Sequence, residues 1–259
     1  MVRLAAGAVL AAAIAILAVQ LRILTRSGAI ASTVIGALCM AAGWSWGTLL
    51  IAFFALTSAL GRLGGPDRRR RTEGMVAKSG ARDAIQVLAN GGPFAAAATV
   101  WLFHPYVGWQ AAGAGALATA MADSWSTELG TLARAAPRLI TTGGRVPPGT
   151  SGGVTALGFA GTALGAATMA LVSIACGWGS GVAVAATIGG VTGAVADSLV
   201  GALWQERRQC ESCDSPTEQR VHSCGLASVR VGGVAWLDND AVNLLCGLVG
   251  AMTALLLSR

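Results

Sequence analysis

Eight apolar runs constrain this chain more than any other feature. They lie roughly at 2–21, 28–44, 46–63, 84–103, 108–126, 152–176, 181–203 and 239–257. The hydrocarbon core of a bilayer takes about 20 apolar residues per helix. Inside it, only helices and closed barrels satisfy their own backbone groups. The runs therefore predict an all-α fold: a polytopic transmembrane helical bundle of about eight spans. Composition agrees, with 54% of the 259 residues apolar and 12% charged, against about 25% charged in soluble domains. The 36 glycines, with abundant alanine, suit helices that approach closely in a membrane. The first run passes into Leu21-Arg22-Ile23-Leu24 without a polar cleavage region, so it reads as a helix and not a signal peptide. Residues 1–259 read as one integral membrane domain, with a polar Cys/His loop at 204–237 inserted between the last two spans.

Sixteen of the 18 Lys and Arg residues fall in four segments: Arg22 and Arg26, Arg62 through Arg82, Arg134 through Arg145, and Arg207 through Arg230. These alternate with short uncharged connections. The positive-inside rule puts the four basic segments in the cytoplasm and both termini outside. The net charge of +6 thus follows the membrane and does not point to nucleic acid. The plasma membrane of a prokaryote is the default location. Arg68 to Arg71 reads as an anchor to anionic lipid headgroups.

The polar motifs collect at the basic ends of the runs. Gly115 to Gly130 begins as a small-residue helix and then carries Asp123, Ser124, Ser126, Thr127 and Glu128. A carboxylate at membrane depth is costly and marks a functional site unless it caps a helix or pairs with Arg. Asp123 and Glu128 are five apart, about 140° around a helix, so one metal would reach both only if the helix bent or ended between them. Ala122-Asp123-Ser124 recurs as Ala196-Asp197-Ser198. Asp83-Ala84-Ile85-Gln86 is echoed by Asp240-Ala241-Val242-Asn243. The two echoes suggest a degenerate internal repeat, which in membrane proteins often places a site at the repeat interface. Asp83, Gln86 and Asn90 share one helix face. Asn90-Gly91-Gly92-Pro93 is expected to kink or break that helix and line a cavity, the plainer reading being a hydrogen-bonded seam between helices. Thr25-Arg26-Ser27-Gly28 and Gly149-Thr150-Ser151-Gly152-Gly153 each set a Ser-Gly pair before an apolar helix. Ser27 is expected to cap its helix. Thr150 to Gly153 is open to either a cap or a phosphate contact at a helix start. Cys210, Cys213, His222 and Cys224 offer three thiols and an imidazole, a donor set that tetrahedral structural Zn²⁺ takes. A redox pair or unliganded thiols are the other readings.

Lys78 to Gly92, Ala122 to Gly130, Pro137 to Thr142, Gly149 to Gly153, Ala196 to Ser198 and Asn239 to Asn243 resemble, in the same order, the motifs of the domain-of-unknown-function-92 family. That family is also called transmembrane protein 19-like and includes the plant phytyl-phosphate kinase. The resemblance implies an integral membrane enzyme that phosphorylates an isoprenyl monophosphate to the diphosphate, using a nucleoside triphosphate (CTP or another). The residue chemistry fits. Phosphoryl transfer needs positioning and charge neutralisation more than covalent chemistry. Asp123, Asp197 and Asp240 are hard donors suited to Mg²⁺, with Glu128 and Asp83 as further acidic candidates. Lys78, Arg82 and Arg138 suit phosphate. Gln86, Asn90, Ser124, Ser198, Asn239 and Asn243 complete the expected substrate and nucleotide contacts, and Thr150, Ser151, Gly152 and Gly153 would cradle a phosphate. The lipid tail is expected among the Gly/Ala-rich helices. Two other readings share these features: a CTP-dependent lipid cytidylyltransferase, and a transporter or flippase of a phosphorylated lipid.

Overall fold

A computed structural model describes residues 2–63, 75, 78 and 80–259. The Arg68 to Arg71 anchor expected from the sequence and Ser79 lie outside the described residues. Eight helices make up the body among those described: α1 (Val2–Gln20), α2 (Arg26–Ala42), α3 (Trp44–Leu63), α4 (Ala84–Phe103), α5 (Val107–Gly130), α6 (Ala156–Ala175), α7 (Gly179–Leu203) and α8 (Asn239–Leu257). This is a mainly α membrane protein, as the apolar runs predict. Five helices, α1, α3, α6, α7 and α8, are long and apolar enough to cross a membrane. Of the others, α2 has 17 residues, and Gln86 and Asn90 on α4 and Asp123 and Glu128 on α5 lower the hydropathy of their helices.

The bundle is built around α5. Every residue from Ala111 to Ala122 is buried, because α3, α4, α6, α7 and α8 all pack on it. A helix enclosed on every side needs apolar residues all round, and the Ala/Gly run supplies them in the smallest size. The seam with α7 and α8 is closed on Thr119. Its hydroxyl donates to Gly115 O at 2.9 Å, and Gly193 and Gly250 lie where any Cβ would strike that side chain. At one end of the bundle Trp46 stacks with Phe94, Trp101 and Trp178 at centroid distances of 5.1, 6.1 and 4.7 Å. The four basic connections gather at the other end, linked by contacts such as Thr25 N to Arg82 O at 3.0 Å and Glu218 N to Met75 O at 2.7 Å.

Two small sheets sit at that basic end. β1 (Arg138–Leu139) pairs antiparallel with β2 (Gly153–Val154). Between α7 and α8, β3 (Arg207–Cys210), β4 (Ser215–Thr217) and β5 (Val229–Gly232) form an antiparallel sheet in the order β4-β3-β5.

Three local expectations are corrected. α4 runs unbroken through Asn90-Gly91-Gly92-Pro93. Pro93 is buried with its ring against Gly247 of α8, so tertiary packing holds a turn that local sequence disfavours. Thr25, not Ser27, caps α2, accepting from Gly28 N at 3.1 Å. Thr150 to Gly153 does not open α6. That helix starts at Ala156 under the cap Thr155, which accepts from Gly158 N at 2.9 Å.

The Thr119 seam is testable. Gly250→Leu is expected to lower the unfolding midpoint in detergent by the equivalent of about 1–3 kcal/mol, the range for overpacking. Leu248→Ala, at an exposed position of the same helix, is expected to stay within about 0.5 kcal/mol. Equal losses in the two variants would mean that the seam is not close-packed.

Candidate functional site

The repeated Ala-Asp-Ser motifs occupy matching places. Asp123 stands seven residues before the end of α5 and Asp197 six before the end of α7, both about 10 Å inside the bundle. They interact electrostatically across the α5–α7 contact, and Cys246 of α8 hydrogen-bonds Asp197. Among the described residues neither carboxylate has an ion pair. Both are enclosed yet retain some accessible surface; Asp123 lines a cleft, and Asp197 is not among its lining residues.

Asp123 faces a cleft with about 1030 Å³ of atom-free space, counting its open mouth. Its polar end holds Arg82, Gln86, Asn90, Asp123, Ser124 and Asn243, drawn from four segments of the chain. From there it runs between α1, α2 and α3 along apolar walls that include Leu10, Ile14, Ile35, Phe54 and Met40. The apolar space thus lies between α1, α2 and α3, of which α1 and α2 are themselves rich in Ala and Gly.

Arg82 is placed by backbone. Its N–H donates to Ile23 O at 2.8 Å and its carbonyl accepts from Thr25 N, so the segment crosses the start of α2. Gly28 permits the crossing, since a Cβ there would meet the Arg82 carbonyl. The guanidinium donates to Thr57 Oγ1 at 3.2 Å. Burial lowers its pKa from the ordinary arginine value and the Glu128 carboxylate acts against that; an arginine stays charged regardless. Because α5 is continuous to Gly130, Glu128 does not share a face with Asp123. It belongs with Arg82 and Gly61 instead.

Lys78 joins the two Asp echoes. Its Nζ lies 2.8 Å from Asp83 Oδ2 and 2.6 Å from Asp240 Oδ2. The two acids are not equivalent, however. Asp83 caps α4 in a capping box with Gln86, whereas α8 is capped by Asp238 and Asp240 lies inside its first turn. Burial alone would lower Lys78, but its bonds to Asp240 and Asp83 hold the ammonium above the ordinary lysine value. Burial alone would raise Asp83, but Lys78 and the Gln86 N–H hold its carboxyl below the ordinary value. Asn239 is exposed at the start of α8, and Ser198 donates to Ala194 O of its own helix at 3.3 Å.

The third connection does not reach the cleft. Arg138 bonds its own hairpin, donating to Gly143 O at 2.8 Å. Thr150 donates to Pro147 O at 2.8 Å. Gly152 has φ +75°, and a Cβ there would strike Ala202 of α7, so turn geometry and packing explain it without a ligand. Ser151 donates to Glu218, which also accepts from Gln205 Nε2 at 2.8 Å. Glu218 lies within electrostatic range of Asp197. Sequence reasoning missed Glu218, because nothing around it repeats or forms a motif.

Cys210 and Cys213 flank the β3–β4 turn, and His222 and Cys224 lie in the next turn. Their ligand atoms all fall within 4.8 Å of one another. Cys210 Sγ is 3.6 Å from Cys224 Sγ, near the roughly 3.7 Å between thiolates around tetrahedral zinc with Zn–S of about 2.3 Å. The hydrogen bond from His222 pulls the Cys224 thiol down to about 6, while bonds with Cys224 and Cys210 push Cys213 up to about 11. The donor set and spacing fit a closed four-ligand site, without the open position that catalytic zinc keeps.

These features define a polytopic α-helical membrane protein with a charged pocket at one end of its bundle, opening into an apolar cleft. The chain belongs to the integral membrane protein family described as DUF92, which matches residues 9–251. It is 30% identical to Protein PGR of Arabidopsis thaliana over 94% of this chain and 92% of that one. It is 28% identical to the uncharacterized membrane protein MJ0933 of Methanocaldococcus jannaschii over 99% and 95% of the two chains. No solved structure matches the chain significantly.

The Lys78 tie gives a pH expectation. Asp83's share of stability is present above the ordinary carboxylate range and is lost as pH falls through its lowered folded value. Lys78's share is present below the ordinary lysine range and is lost as pH rises through its raised value. Between about pH 4 and 10 the tie contributes a constant amount, under about 1 kcal/mol for so exposed a pair. Asp83→Asn keeps the cap and is expected to cost no more than that, with the difference vanishing in acid. Asp83→Ala also loses the cap and is expected to cost about 1 kcal/mol more in thermal unfolding. Equal effects of the two would show that the cap contributes nothing.

Proposed function

We propose that this protein is a Mg²⁺-dependent kinase that converts an isoprenyl monophosphate to the diphosphate at the expense of a nucleoside triphosphate. The observation that supports this most is the continuity of the apolar cleft with the end that holds Asp123, Ser124, Arg82, Gln86, Asn90 and Asn243. A ligand with an isoprenoid tail and an anionic head matches both parts. Carboxylates beside phosphate need a cation between them, and Mg²⁺ is bound by one or two carboxylates plus phosphate oxygens. Asp123 and Asp197 would hold it, and when bound it neutralises phosphate charge. Arg82 binds the lipid phosphate, steadied by Thr57 and Glu128. Lys78, set between Asp83 and Asp240, faces the nucleotide. In the transfer, an oxygen of the lipid phosphate forms a bond to the γ-phosphorus. The γ-phosphorus bond to the bridging oxygen breaks, and the nucleoside diphosphate leaves with that electron pair. We assign the basic connections to the cytoplasm by the positive-inside rule, where nucleotide is available. We further assign structural Zn²⁺ to Cys210, Cys213, His222 and Cys224.

The test is product analysis on purified protein with Mg²⁺, each nucleoside triphosphate in turn, and phytyl or geranylgeranyl phosphate. The expected products are a prenyl diphosphate and a nucleoside diphosphate. Pyrophosphate with a nucleotidylated lipid would replace the reading with a cytidylyltransferase. No turnover in folded protein would leave lipid transport as the reading to test. Asp123→Asn and Asp197→Asn are each expected to lower kcat at least about 100-fold, by analogy with the loss of a group that stabilises transition-state charge, while leaving the unfolding midpoint near wild type. Wild-type turnover in either variant would remove that residue from the site. Elemental analysis is expected to find one zinc per chain, lost in Cys210→Ser; a metal-free wild type would contradict the zinc assignment.

A further inference from the structure

The exposed tryptophans mark two levels of the bundle. Trp44 starts α3 at the aromatic end. Trp204 directly follows α7, and Trp236 stands shortly before α8, both at the basic end. Between those ends α7 runs for 25 residues, about 37 Å at 1.5 Å per residue. That length is the hydrocarbon core with part of its headgroup layers. Exposed tryptophan gathers where membrane meets water.

The patch around Trp204 and Trp236 continues the surface that α7 turns to lipid. Val184, Ile188, Leu199 and Leu203 are exposed and fall within about 100° of one another around that helix. Leu203 brings this stripe to Trp204. The chain later returns to the same place, where Val234 N donates to Trp204 O at 2.9 Å. β5 is an edge of its sheet, and Val229, Arg230 and Val231 are all exposed along it. A sheet edge that carries apolar side chains needs cover. Charge is ordered along the same sheet. A Cβ on Gly232 would meet the Arg207 guanidinium, and Arg230 donates to Gly233 O at 3.0 Å. Both arginines thus lie at the end of the sheet next to α7, and neither pairs with a carboxylate among the described residues. Of the acids nearby, Asp238 caps α8 and Asp240 holds Lys78. The exposed Glu211 and Asp214 lie beyond Cys210, which is about 10 Å from Arg207 at roughly 3.3 Å per strand residue.

We infer that the sheet between α7 and α8 docks on the bilayer surface. Trp204, Val231, Val234 and Trp236 enter the interfacial layer, and Arg207 and Arg230 bind the headgroups of anionic phospholipid. The acidic end of the sheet points away from that surface. This contact uses none of the cleft residues and is independent of the kinase reading.

Tryptophan quenching in nanodiscs tests it, with phospholipid brominated near the headgroup end of the acyl chain. The difference between wild type and Trp204→Phe/Trp236→Phe isolates the emission of this pair. That emission is expected to fall at least about twofold on bromination, since interfacial apolar groups sit about 5–10 Å into the headgroup boundary. In equal mixtures of phosphatidylglycerol and phosphatidylcholine, only one lipid is then brominated at a time. Brominated phosphatidylglycerol is expected to quench the pair several-fold more than brominated phosphatidylcholine, since each arginine near an anionic surface favours contact about fivefold. Arg207→Gln/Arg230→Gln is expected to bring the two lipids close to equal. Trp236→Phe alone, at a position outside every helix, serves if the double tryptophan variant fails to fold. Equal quenching by both lipids in wild type, or a preference unchanged in the folded arginine variant, overturns the headgroup assignment. Emission that neither lipid quenches overturns the docking and leaves a patch that faces water.

Discussion

Two carboxylates held near each other inside a membrane bundle are the interaction on which this structure depends. Asp123 and Asp197 repel, and burial worsens the repulsion because charge at membrane depth is costly. No cation among the described residues pairs with either. The fold nevertheless holds them together. α5 and α7 carry the same tripeptide at matching depth, and the small residues of their seam, closed on Thr119, bring the backbones close. Such an arrangement is stable if its charge is met by something that comes and goes with function. The proposed Mg²⁺ with its phosphate ligands would have that property.

The bundle has two halves. In one, the Ala and Gly of α5 and of the seam closed on Thr119 give a rigid frame. In the other, α1, α2 and α3 surround a cleft. The charged end lies where the two halves meet: Asp123 comes from the rigid half, Gln86 and Asn90 from α4 beside it, and Arg82 from a strand laid across the start of α2. Acid and base are thus fixed by different elements, which lets each be positioned without constraining the tail space. The Cys/His connection reaches the same region through Glu218, which links Ser151 and Gln205 near Asp197. A structural metal there would hold the basic end of the bundle in register.

Much of this was legible in the sequence. Apolar runs mark helices because the bilayer leaves few alternatives, and their ends differ from the structure by a few residues. The Ala-Asp-Ser repeat pointed to two acids that stand at matching places in α5 and α7, and the Cys and His spacing pointed to four donors that converge. What was not legible depends on tertiary contact. Asn90 to Pro93 reads as a break, yet Pro93 packs on α8 and the helix continues. Gly152 reads as a phosphate cradle, yet it answers to Ala202 across the chain. The five-residue spacing of Asp123 and Glu128 already separated their faces, and the unbent α5 keeps them apart, but that Glu128 meets Arg82 was not legible. The cleft itself left no pattern, because a gap between helices is set by which large side chains diverge.

The most direct measurement of the central claim is Mn²⁺ titration of purified protein by electron paramagnetic resonance, with isoprenyl monophosphate and a non-hydrolysable nucleotide present. The account requires a saturable site whose signal is lost in Asp123→Asn and in Asp197→Asn while the protein stays folded. An unchanged Mn²⁺ signal in both variants would contradict it, because the two carboxylates would then not be where the metal and phosphates meet.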